Sequence, residues 1–320
     1  MRITSKMAHQ MIAVLDELQE QLKGKAKTPY PYKEWEQKRE LVKQRIHKLP
    51  AYVEQAASMI TTDKPTGGRP KNGDLVKRTL IFLFARLMNK SNRDTEHLLE
   101  LFFPFFGITL SYKSVERLYS DEDVQAVLHN LFILLLQDEG VSGDMAGDGT
   151  GYGLSVTKHY RSSPKKKGKG YRYAFRIIDV HTGMYVGLGY SAISEMQAFR
   201  QAKKMVEMLG ITITKIRLDK YYSSRKILKL FGPDVDVVVI PKKNIAKIGV
   251  YWSRIFRKIR DSPLGYLKDY YQRNLSEGGY SSDKGRFGGM VRQRREDRQE
   301  TALFSIGLLH NVFFVRTGTG

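Results

Sequence analysis

Beyond residue 139 the sequence places short strand-like and helical segments in an order that few protein folds can accommodate. Strands are predicted at 146–156, 171–180, 184–190 and 235–240, and the apolar segment 213–218 is predicted to be a buried strand. Helices are predicted at about 194–209, 223–230 and 267–315. The tight turn His181-Thr182-Gly183 joins the second strand to the third, so the first three strands form an antiparallel meander. The segment is therefore predicted to be an α/β domain with a mixed sheet flanked by helices.

The order of three antiparallel strands, helix, strand, helix, strand and closing helix is that of the ribonuclease H-like fold. Residues 139–320 are accordingly predicted to be one domain of this kind. Residues 1–62 are predicted to be a helical region, with one helix at 5–24 and another at 35–59. This pair is either a helical hairpin, which we favour, or an element for dimerisation or DNA binding.

Residues 63–74 are rich in Pro, Gly and polar residues and are predicted to be a linker. Within it, Gly68-Arg69-Pro70-Lys71 resembles the core of an AT-hook, in which an Arg enters the minor groove; a plain linker is the simpler interpretation. Residues 75–138 are predicted to be helical, and the succession of helix, Gly-containing turn and polar helix fits a helix-turn-helix. Its second helix would present three side chains to DNA: Tyr112, Lys113 and Arg117. A neutral helical packing segment is the alternative.

The net charge of +21 points to a polyanionic partner, because Lys and Arg number 54 against 33 Asp and Glu. The excess is concentrated in residues 139–320, where 33 basic residues stand against 16 acidic ones. Residues 73–138, in contrast, carry 7 basic and 9 acidic residues. The sequence therefore predicts that the α/β part contacts nucleic acid.

Composition also excludes several classes of protein. The chain has no cysteine, which excludes a disulfide scaffold, a thiolate zinc site and a Cys nucleophile. Its amphipathic, acid-containing N-terminal segment is not a signal peptide. The longest apolar run, Leu131 to Leu136, is far shorter than the roughly 20 residues that span a bilayer. We expect no membrane partner and a cytoplasmic protein, associated with the nucleoid in a prokaryote.

Three acidic residues stand out in the basic part, since a carboxylate near DNA repels phosphate. Asp148 lies in the first strand among glycines, and Asp219 ends the apolar run of the fourth strand, at the edge where open α/β sheets place ligands. Glu277 lies early in the C-terminal helical region. Carboxylate oxygens are the ligands that Mg²⁺ prefers, and paired ions activate the attacking oxygen and stabilise the leaving one. We expect Asp148, Asp219 and Glu277 to hold two Mg²⁺ or Mn²⁺ ions.

Glu277 shares a predicted helical face with three further functional side chains. On a helix, four residues with this spacing lie within an arc of about 60° around the axis: Tyr270, Arg273, Glu277 and Lys284. Arg clamps phosphate with two hydrogen bonds and Lys binds it as a point charge. An ordinary solvated face with an Arg–Glu pair is the alternative. Gly278-Gly279 are expected to kink or end the helix, because each Gly costs about 1 kcal/mol there.

The pattern Tyr-x2-Arg-x3-Glu-x6-Lys at 270–284 resembles the signature of insertion-sequence transposases of the IS4 type. Asp148-Gly149-Thr150-Gly151 is similar to the segment of the family's first catalytic Asp, and 219–223 to that of the second. The resemblance implies a DDE catalytic triad formed by Asp148, Asp219 and Glu277. It also implies that Tyr270, Arg273 and Lys284 position DNA phosphates, and that the working form is a homodimer in a synaptic complex with paired DNA ends.

Further basic residues are candidates for DNA contact. A cationic loop between the first two strands contains Lys165, Lys166, Lys167 and Lys169, and Lys242 and Lys243 follow the fifth strand. Trp252, in a basic segment, either stacks on DNA or belongs to the core. Asp144 is a rival for the first carboxylate, although the Asp-Gly-Thr context favours Asp148.

The sequence therefore predicts a DNA transposase that cleaves double-stranded DNA at transposon ends and transfers the 3′-OH into target DNA. Two alternatives stay open. One is a ribonuclease H-like nuclease without strand transfer. The other is a non-catalytic DNA-binding regulator or domesticated remnant, which would have no need to keep three carboxylates.

Overall fold

The computed structural model describes residues 3–23, 32–61, 71–155, 170–245 and 248–314. Within these ranges the sheet has six strands: β1 (Asp144–Leu154), β2 (Tyr171–Asp179), β3 (Tyr185–Ser191), β4 (Lys215–Leu218), β5 (Asp236–Val239) and β6 (Met290–Val291). Their order is β3-β2-β1-β4-β5, and β6 pairs with the end of β1. β1, β2 and β3 are antiparallel neighbours, whereas β4 and β5 run parallel to β1. The sheet is mixed, as the sequence predicts.

The register between β1 and β4 decides which side chains meet at the edge of the sheet. Gly147 pairs with Leu218 in a parallel arrangement. The residues that follow, Asp148 and Asp219, therefore come next to each other where β4 ends. Strand pairing alone brings two of the three predicted carboxylates to one place.

Helices flank this sheet and form most of the chain before it. In chain order they are α1 (Ser5–Lys23), α2 (Tyr32–Ser58), α3 (Leu75–Met88), α4 (Asn92–Leu101), α5 (Phe103–Phe106), α6 (Tyr112–Leu118), α7 (Glu122–Glu139), α8 (Glu195–Met208), α9 (Arg225–Leu228), α10 (Val250–Asp261), α11 (Pro263–Tyr271), α12 (Asn274–Phe287) and α13 (Glu296–Phe313). Within the described ranges, none is both long and apolar enough to cross a membrane. The predicted α/β class and helical N-terminal region are confirmed, whereas the predicted domain boundaries stay a prediction.

One face of the sheet is covered by α8, which approaches β3 very closely. A Cβ on Gly189 would lie 1.8 Å from the carbonyl oxygen of Ala198, and one on Gly187 would lie 2.7 Å from that of Ala202. Only glycine permits two backbones to come this near. The close contact fixes the N-terminus of α8 beside β1.

The opposite face is covered by α12 and α13, and a buried charge cluster joins them to the strands. Arg176 of β2 is fully buried and pairs with Asp283 of α12. The Asp283 carboxylate also accepts a hydrogen bond from the hydroxyl of Tyr185 at 3.0 Å. Nδ1 of His310, in α13, lies 2.8 Å from the other carboxylate oxygen of Asp283. Removing one member of such a buried pair costs about 3–5 kcal/mol, so this cluster, the Arg176 cluster, ties α12 firmly to the sheet.

The two N-terminal helices pack on different parts of the molecule. α1 packs against α10 and α11, whereas α2 packs against α3, α7 and α13. The helical hairpin favoured from the sequence is therefore wrong. Local periodicity shows that each helix has an apolar side but not which helix covers it. Trp252 of α10 is buried in the same core as α1, so it belongs to the core and does not stack on DNA.

The predicted helix-turn-helix corresponds to α4, α5 and α6. Ser91 begins α4 with a capping box, and Ser111 caps α6 by accepting a hydrogen bond from the backbone N–H of Ser114. The turn between them contains the one-turn helix α5, which ends at Gly107 with a positive φ of 64°. α4 and α6 pack against each other, and α6 also contacts α3. These contacts give a helix, turn and helix at the predicted residues.

Candidate active site

Asp148 lies in the middle of β1, on the face that α12 covers. The neighbouring glycines point to the opposite face, where a Cβ on Gly149 would lie 2.2 Å from Cδ of Glu195. The glycine at this position thus allows the N-terminus of α8 to lie directly against the strand that carries Asp148. Asp148 itself is mostly buried, with a side chain 17% exposed.

Asp219 is the first residue after β4 and begins the 3₁₀ turn Lys220–Tyr222. Its carboxylate accepts a hydrogen bond from the backbone N–H of Tyr221 at 3.0 Å, which fixes the side chain at the start of the turn. The last residue of this turn, Tyr222, is buried against the rings of Phe175 and Phe199. The turn is held on the sheet, while the Asp219 side chain stays 37% exposed.

Glu277 lies in the first turn of α12, and Arg273 is the residue immediately before that helix. Nη1 of Arg273 and Oε1 of Glu277 are 2.7 Å apart, a direct ion pair at i,i+4. The pair alone would fit an ordinary exposed helix face.

The surroundings of Arg273 distinguish this arrangement from an ordinary helix face. Its Nη1 lies 3.8 Å from Oδ2 of Asp148, and its Nη2 lies 3.8 Å from Oδ1 of Asp219. Carboxylates from a strand, a turn and a helix therefore surround a single guanidinium. The three residues that the sequence singles out thus all lie near the same basic side chain, that of Arg273.

Charge and burial in this group perturb the carboxylate of Asp148 most. Burial raises the pKa of Asp148 to about 6, the Arg273 guanidinium opposes that rise, and the Glu277 and Asp219 carboxylates add to it. A desolvated acid among charged groups in this range is typical of functional sites. Nε of Arg273 is buried and has no hydrogen-bond partner among the described residues. The guanidinium thus keeps unused donor capacity beside the carboxylates.

Three carboxylates supply only hard oxygen donors, and this donor set fits Mg²⁺ or Mn²⁺. Among the described residues, no three His, Cys, Asp or Glu side chains are close enough as they stand to hold one ion. Each of the three carboxylates instead faces the guanidinium of Arg273, at 2.7–3.8 Å. Metal binding would require this side chain to move.

Tyr270 and Lys284 lie on either side of this group. The guanidinium of Arg273 lies over the ring of Tyr270, 5.4 Å from its centroid. Burial raises the pKa of Tyr270 to about 12, an effect that Arg273 counteracts. Nζ of Lys284 donates a hydrogen bond to the hydroxyl of Thr150, two residues after Asp148 on β1, at 2.7 Å. Burial, followed by the charge of Arg176, lowers the pKa of Lys284.

Two details of the predicted helical face are wrong. The face does not belong to one helix, because α11 ends at Tyr271 and α12 begins at Asn274, with a break at Gln272 and Arg273. α12 also continues through Gly278-Gly279 without ending. A Cβ on Gly279 would lie 2.5 Å from the hydroxyl of Tyr185, so packing against β3 favours glycine there and outweighs its low helix propensity.

The predicted DNA contacts outside this group have mixed surroundings. Lys242 lies beside the Asp219 turn, with Nζ donating to the carbonyl oxygen of Tyr221 at 3.2 Å. Lys243 instead pairs with Asp16 of α1 at 2.9 Å, so it is directed away from the carboxylates.

On α6, Lys113 and Arg117 are exposed, and Tyr112 is partly buried. The ring of Tyr112 has two cations over it, Arg93 with Cζ at 5.2 Å and Lys113 with Nζ at 5.5 Å. Four other candidates, Lys165, Lys166, Lys167 and Lys169, lie outside the described residues, as do Gly68-Arg69-Pro70 of the AT-hook-like segment.

Asp144, the rival for the first carboxylate, has a separate role. It pairs with the buried Arg217 of β4, at the other end of the β1–β4 pairing from Asp148. Arg217 also pairs with Asp269 of α11. Asp144 therefore belongs to an ion-pair network that joins strands and helix.

Sequence reasoning gave no role to three residues near the carboxylates, Glu195, Tyr222 and Tyr280, or to Asp283 of the Arg176 cluster. The hydroxyl of Tyr280 donates to the backbone oxygen of Asp148 at 2.6 Å, and that of Tyr222 donates to Oε1 of Glu195 at the same distance. One signal was available, since each tyrosine follows a candidate carboxylate by three residues. Glu195 and Asp283 carry no such signal, because their contacts depend on tertiary packing.

Comparison with known proteins gives one extensive match. The chain is 60% identical over 315 residues to the probable transposase for insertion sequence element ISA1214 of Archaeoglobus fulgidus, covering 98% of each chain. No family model matches the chain, and no solved structure matches it.

Proposed function

The chain belongs to the family of insertion-sequence transposases, and from that membership we propose that it is a DNA transposase with a catalytic centre formed by Asp148, Asp219 and Glu277. The proposed reaction has two phosphoryl transfers. In the first, a water oxygen attacks a phosphorus at the end of the element, and the bond from that phosphorus to the 3′-oxygen breaks. Of the two water protons, one reaches the leaving 3′-oxygen through solvent, which gives a 3′-hydroxyl, and the other passes to solvent. In the second, the freed 3′-hydroxyl attacks a target phosphorus and gives up its proton. The bond from that phosphorus to the target's own 3′-oxygen breaks, and the leaving oxygen takes up a proton from solvent.

The observation that carries this proposal is the convergence of the three carboxylates on Arg273. Acidic residues on a strand, a turn and a helix have no structural need to share one small space, because their charges repel each other. Their presence in the part of the chain with 33 basic and 16 acidic residues supports a role on a polyanion rather than general solubility.

Mg²⁺ or Mn²⁺ ions would be held by Asp148, Asp219 and Glu277. The chemistry that a pair of such ions supplies in a carboxylate site is activation of the attacking oxygen and stabilisation of the leaving one. Asp148 must be ionised to serve as a ligand, and its raised pKa of about 6 means that it reaches this state fully only near neutral pH.

DNA phosphates would be bound by the basic side chains around the carboxylates. Arg273 has a buried Nε without a partner among the described residues, and Lys284 lies on the same side of β1 as Asp148. The ring of Tyr270 stacks against the guanidinium of Arg273. On α6, Lys113 and Arg117 would contact the duplex outside the cleavage site, together with Tyr112.

The fold and the assembly state extend the proposal. The strand order β3-β2-β1-β4-β5, with β1 to β3 antiparallel and β4 and β5 parallel to β1, supports a ribonuclease H-like catalytic domain of the DDE type. Element ends come in pairs, so we expect a homodimer that holds two ends of double-stranded DNA in a synaptic complex.

The test is cleavage of DNA that contains the element's ends, with Mg²⁺ or Mn²⁺, by the wild type and three variants: Asp148→Asn, Asp219→Asn and Glu277→Gln. The matched control is Asp144→Asn, which removes a carboxylate from the same strand while leaving Arg217 its contacts with Asp269. We expect the three variants to lose cleavage and the control to keep it.

Cleavage by all three variants at the wild-type rate would refute the catalytic assignment. A strand-transfer assay with pre-cleaved ends separates a transposase from a nuclease, because only the transposase joins the 3′-end to target DNA. Binding to end DNA without any metal-stimulated cleavage by the wild type would instead identify a non-catalytic regulator.

A further inference from the structure

Two buried tyrosines occupy equivalent places relative to the candidate carboxylates. Tyr222 follows Asp219 by three residues, and Tyr280 follows Glu277 by three residues. Their side chains are almost fully buried, and each hydroxyl makes a hydrogen bond at 2.6 Å. Both bonds lead to the segment of β1 that carries Asp148, from opposite faces of the sheet.

Tyr280 connects α12 to Asp148 directly. Its hydroxyl donates to the backbone carbonyl oxygen of Asp148. Behind the hydroxyl, the ring lies against the guanidinium of Arg176, 4.9 Å from Cζ to the ring centroid. Since Arg176 is paired with Asp283 on the same helix, the ring cannot shift without disturbing a buried charge pair.

Tyr222 connects the Asp219 turn to β1 through a second side chain. Its hydroxyl donates to Oε1 of Glu195, and the Glu195 side chain lies against Gly149, the residue after Asp148. The ring of Tyr222 is packed edge-on against Phe175 of β2, with centroids 5.2 Å apart. Both ends of this connection are therefore fixed by packing.

Each hydroxyl is already used as a donor within the fold. Burial raises the pKa of Tyr222 and that of Tyr280 well above the usual value, and the hydrogen bond to Glu195 raises that of Tyr222 further. Neither tyrosine reaches the space between the carboxylates, because each hydroxyl is already bonded elsewhere. They are not groups that react with DNA.

We propose that Tyr222 and Tyr280 are positioning residues that set the places of Asp219 and Glu277 relative to Asp148. The inference rests on the proposed function, since it assumes that these carboxylates hold metal ions. Metal sites depend on the groups that orient their ligands, and loss of one such group commonly weakens metal affinity about 10–100-fold. Each hydroxyl acts here through the backbone or a neighbouring side chain, not by touching metal or DNA.

The experiment measures the dissociation constant for Mn²⁺ without DNA, by isothermal titration calorimetry, for Tyr222→Phe and Tyr280→Phe. Phe keeps the ring and removes only the hydroxyl. The matched control is Tyr190→Phe, because Tyr190 of β3 is also buried and its hydroxyl donates to a backbone oxygen, that of Leu303, at 3.0 Å. Thermal unfolding of all three variants shows whether their stabilities are comparable.

We expect both test variants to bind Mn²⁺ roughly tenfold more weakly than the wild type, and Tyr190→Phe to bind it normally at a similar stability. Wild-type affinity in both test variants would overturn the inference, and so would an equal loss in the control, which would indicate a general effect of losing a buried hydroxyl. The variant Asp148→Asn distinguishes failure of the proposed metal site from failure of the positioning role. If it too binds Mn²⁺ normally, the proposed metal site fails; if it loses binding while the tyrosine variants do not, only the positioning role fails.

Discussion

Asp148→Asn should stabilise the metal-free protein at neutral pH, although it removes the central carboxylate of the candidate site. The pKa of Asp148 rises from 3.8 to about 6 on folding, chiefly because the carboxyl is buried. A shift of about two units corresponds to about 3 kcal/mol between the protonated and ionised forms. Asn mimics the protonated form at every pH, so the variant avoids this cost.

The sign of the pH dependence follows from linkage. An acid whose pKa is raised in the folded state binds its proton more tightly there, so its contribution to stability is full below pH 4 and lost as pH rises through about 6. The variant has no such loss. The difference in free energy of unfolding, variant minus wild type, should therefore increase by about 2 kcal/mol between pH 4 and pH 7, which is most of the full effect.

Urea unfolding in EDTA, followed by circular dichroism at a series of pH values, measures this difference. Taking the difference between two proteins cancels the other titrating groups, some of which, such as Asp283, have lowered pKa values and act in the opposite direction. A difference that stays constant with pH would show that the attraction of Arg273 balances the effect of burial on the Asp148 carboxyl, and a difference that decreases would show that it outweighs burial. Either result would contradict the raised pKa of Asp148.

Three further predictions concern Arg273, the glycine pair of α12 and the helix α6. Arg273→Gln should bind Mn²⁺ more tightly than the wild type without DNA, because a cation between the carboxylates is gone; weaker binding in calorimetry would contradict this. Gly279→Ala should lower the free energy of unfolding by about 1–3 kcal/mol, because its Cβ would lie 2.5 Å from the buried hydroxyl of Tyr185. Gly278→Ala has no atom within 4 Å of its new Cβ and should raise stability by up to about 1 kcal/mol, so equal effects in chemical unfolding would be inconsistent with the packing described. Arg117→Ala should reduce the slope of log affinity against log salt concentration by about 1 in fluorescence anisotropy with end DNA, whereas an unchanged slope would show that α6 makes no phosphate contact there.

The sheet could be predicted well because its signals are local. Short strand-like segments mark β1, β2 and β3, and the turn at His181-Thr182-Gly183 makes the second and third strands antiparallel. The helices near the site were harder, since neither the break at Gln272 nor the continuation through Gly279 follows from propensity. In both places the packing of α11 and α12 on the sheet outweighs the local preference of the chain.

The candidate site was predictable in its residues but not in its arrangement. Asp148 and Asp219 are identified by their position in and after strands, and Glu277 by its spacing from Arg273. That Arg273 lies between all three, and that Tyr280 holds the backbone of Asp148, depends on contacts between segments more than a hundred residues apart. No local pattern encodes such a contact.

The packing of α1 has a consequence for how the chain is synthesised. His9 of α1 contacts the backbone of Lys243, 234 residues further along, and α1 shares its core with α10 and α11. Because the ribosome makes α1 long before these partners, its apolar side stays uncovered through most of translation. A chain that is released early would expose this side, together with the uncovered surface of β5, to chaperones and proteases. The core that α1 shares with α10 and α11 can therefore form only after the chain has been made as far as α11.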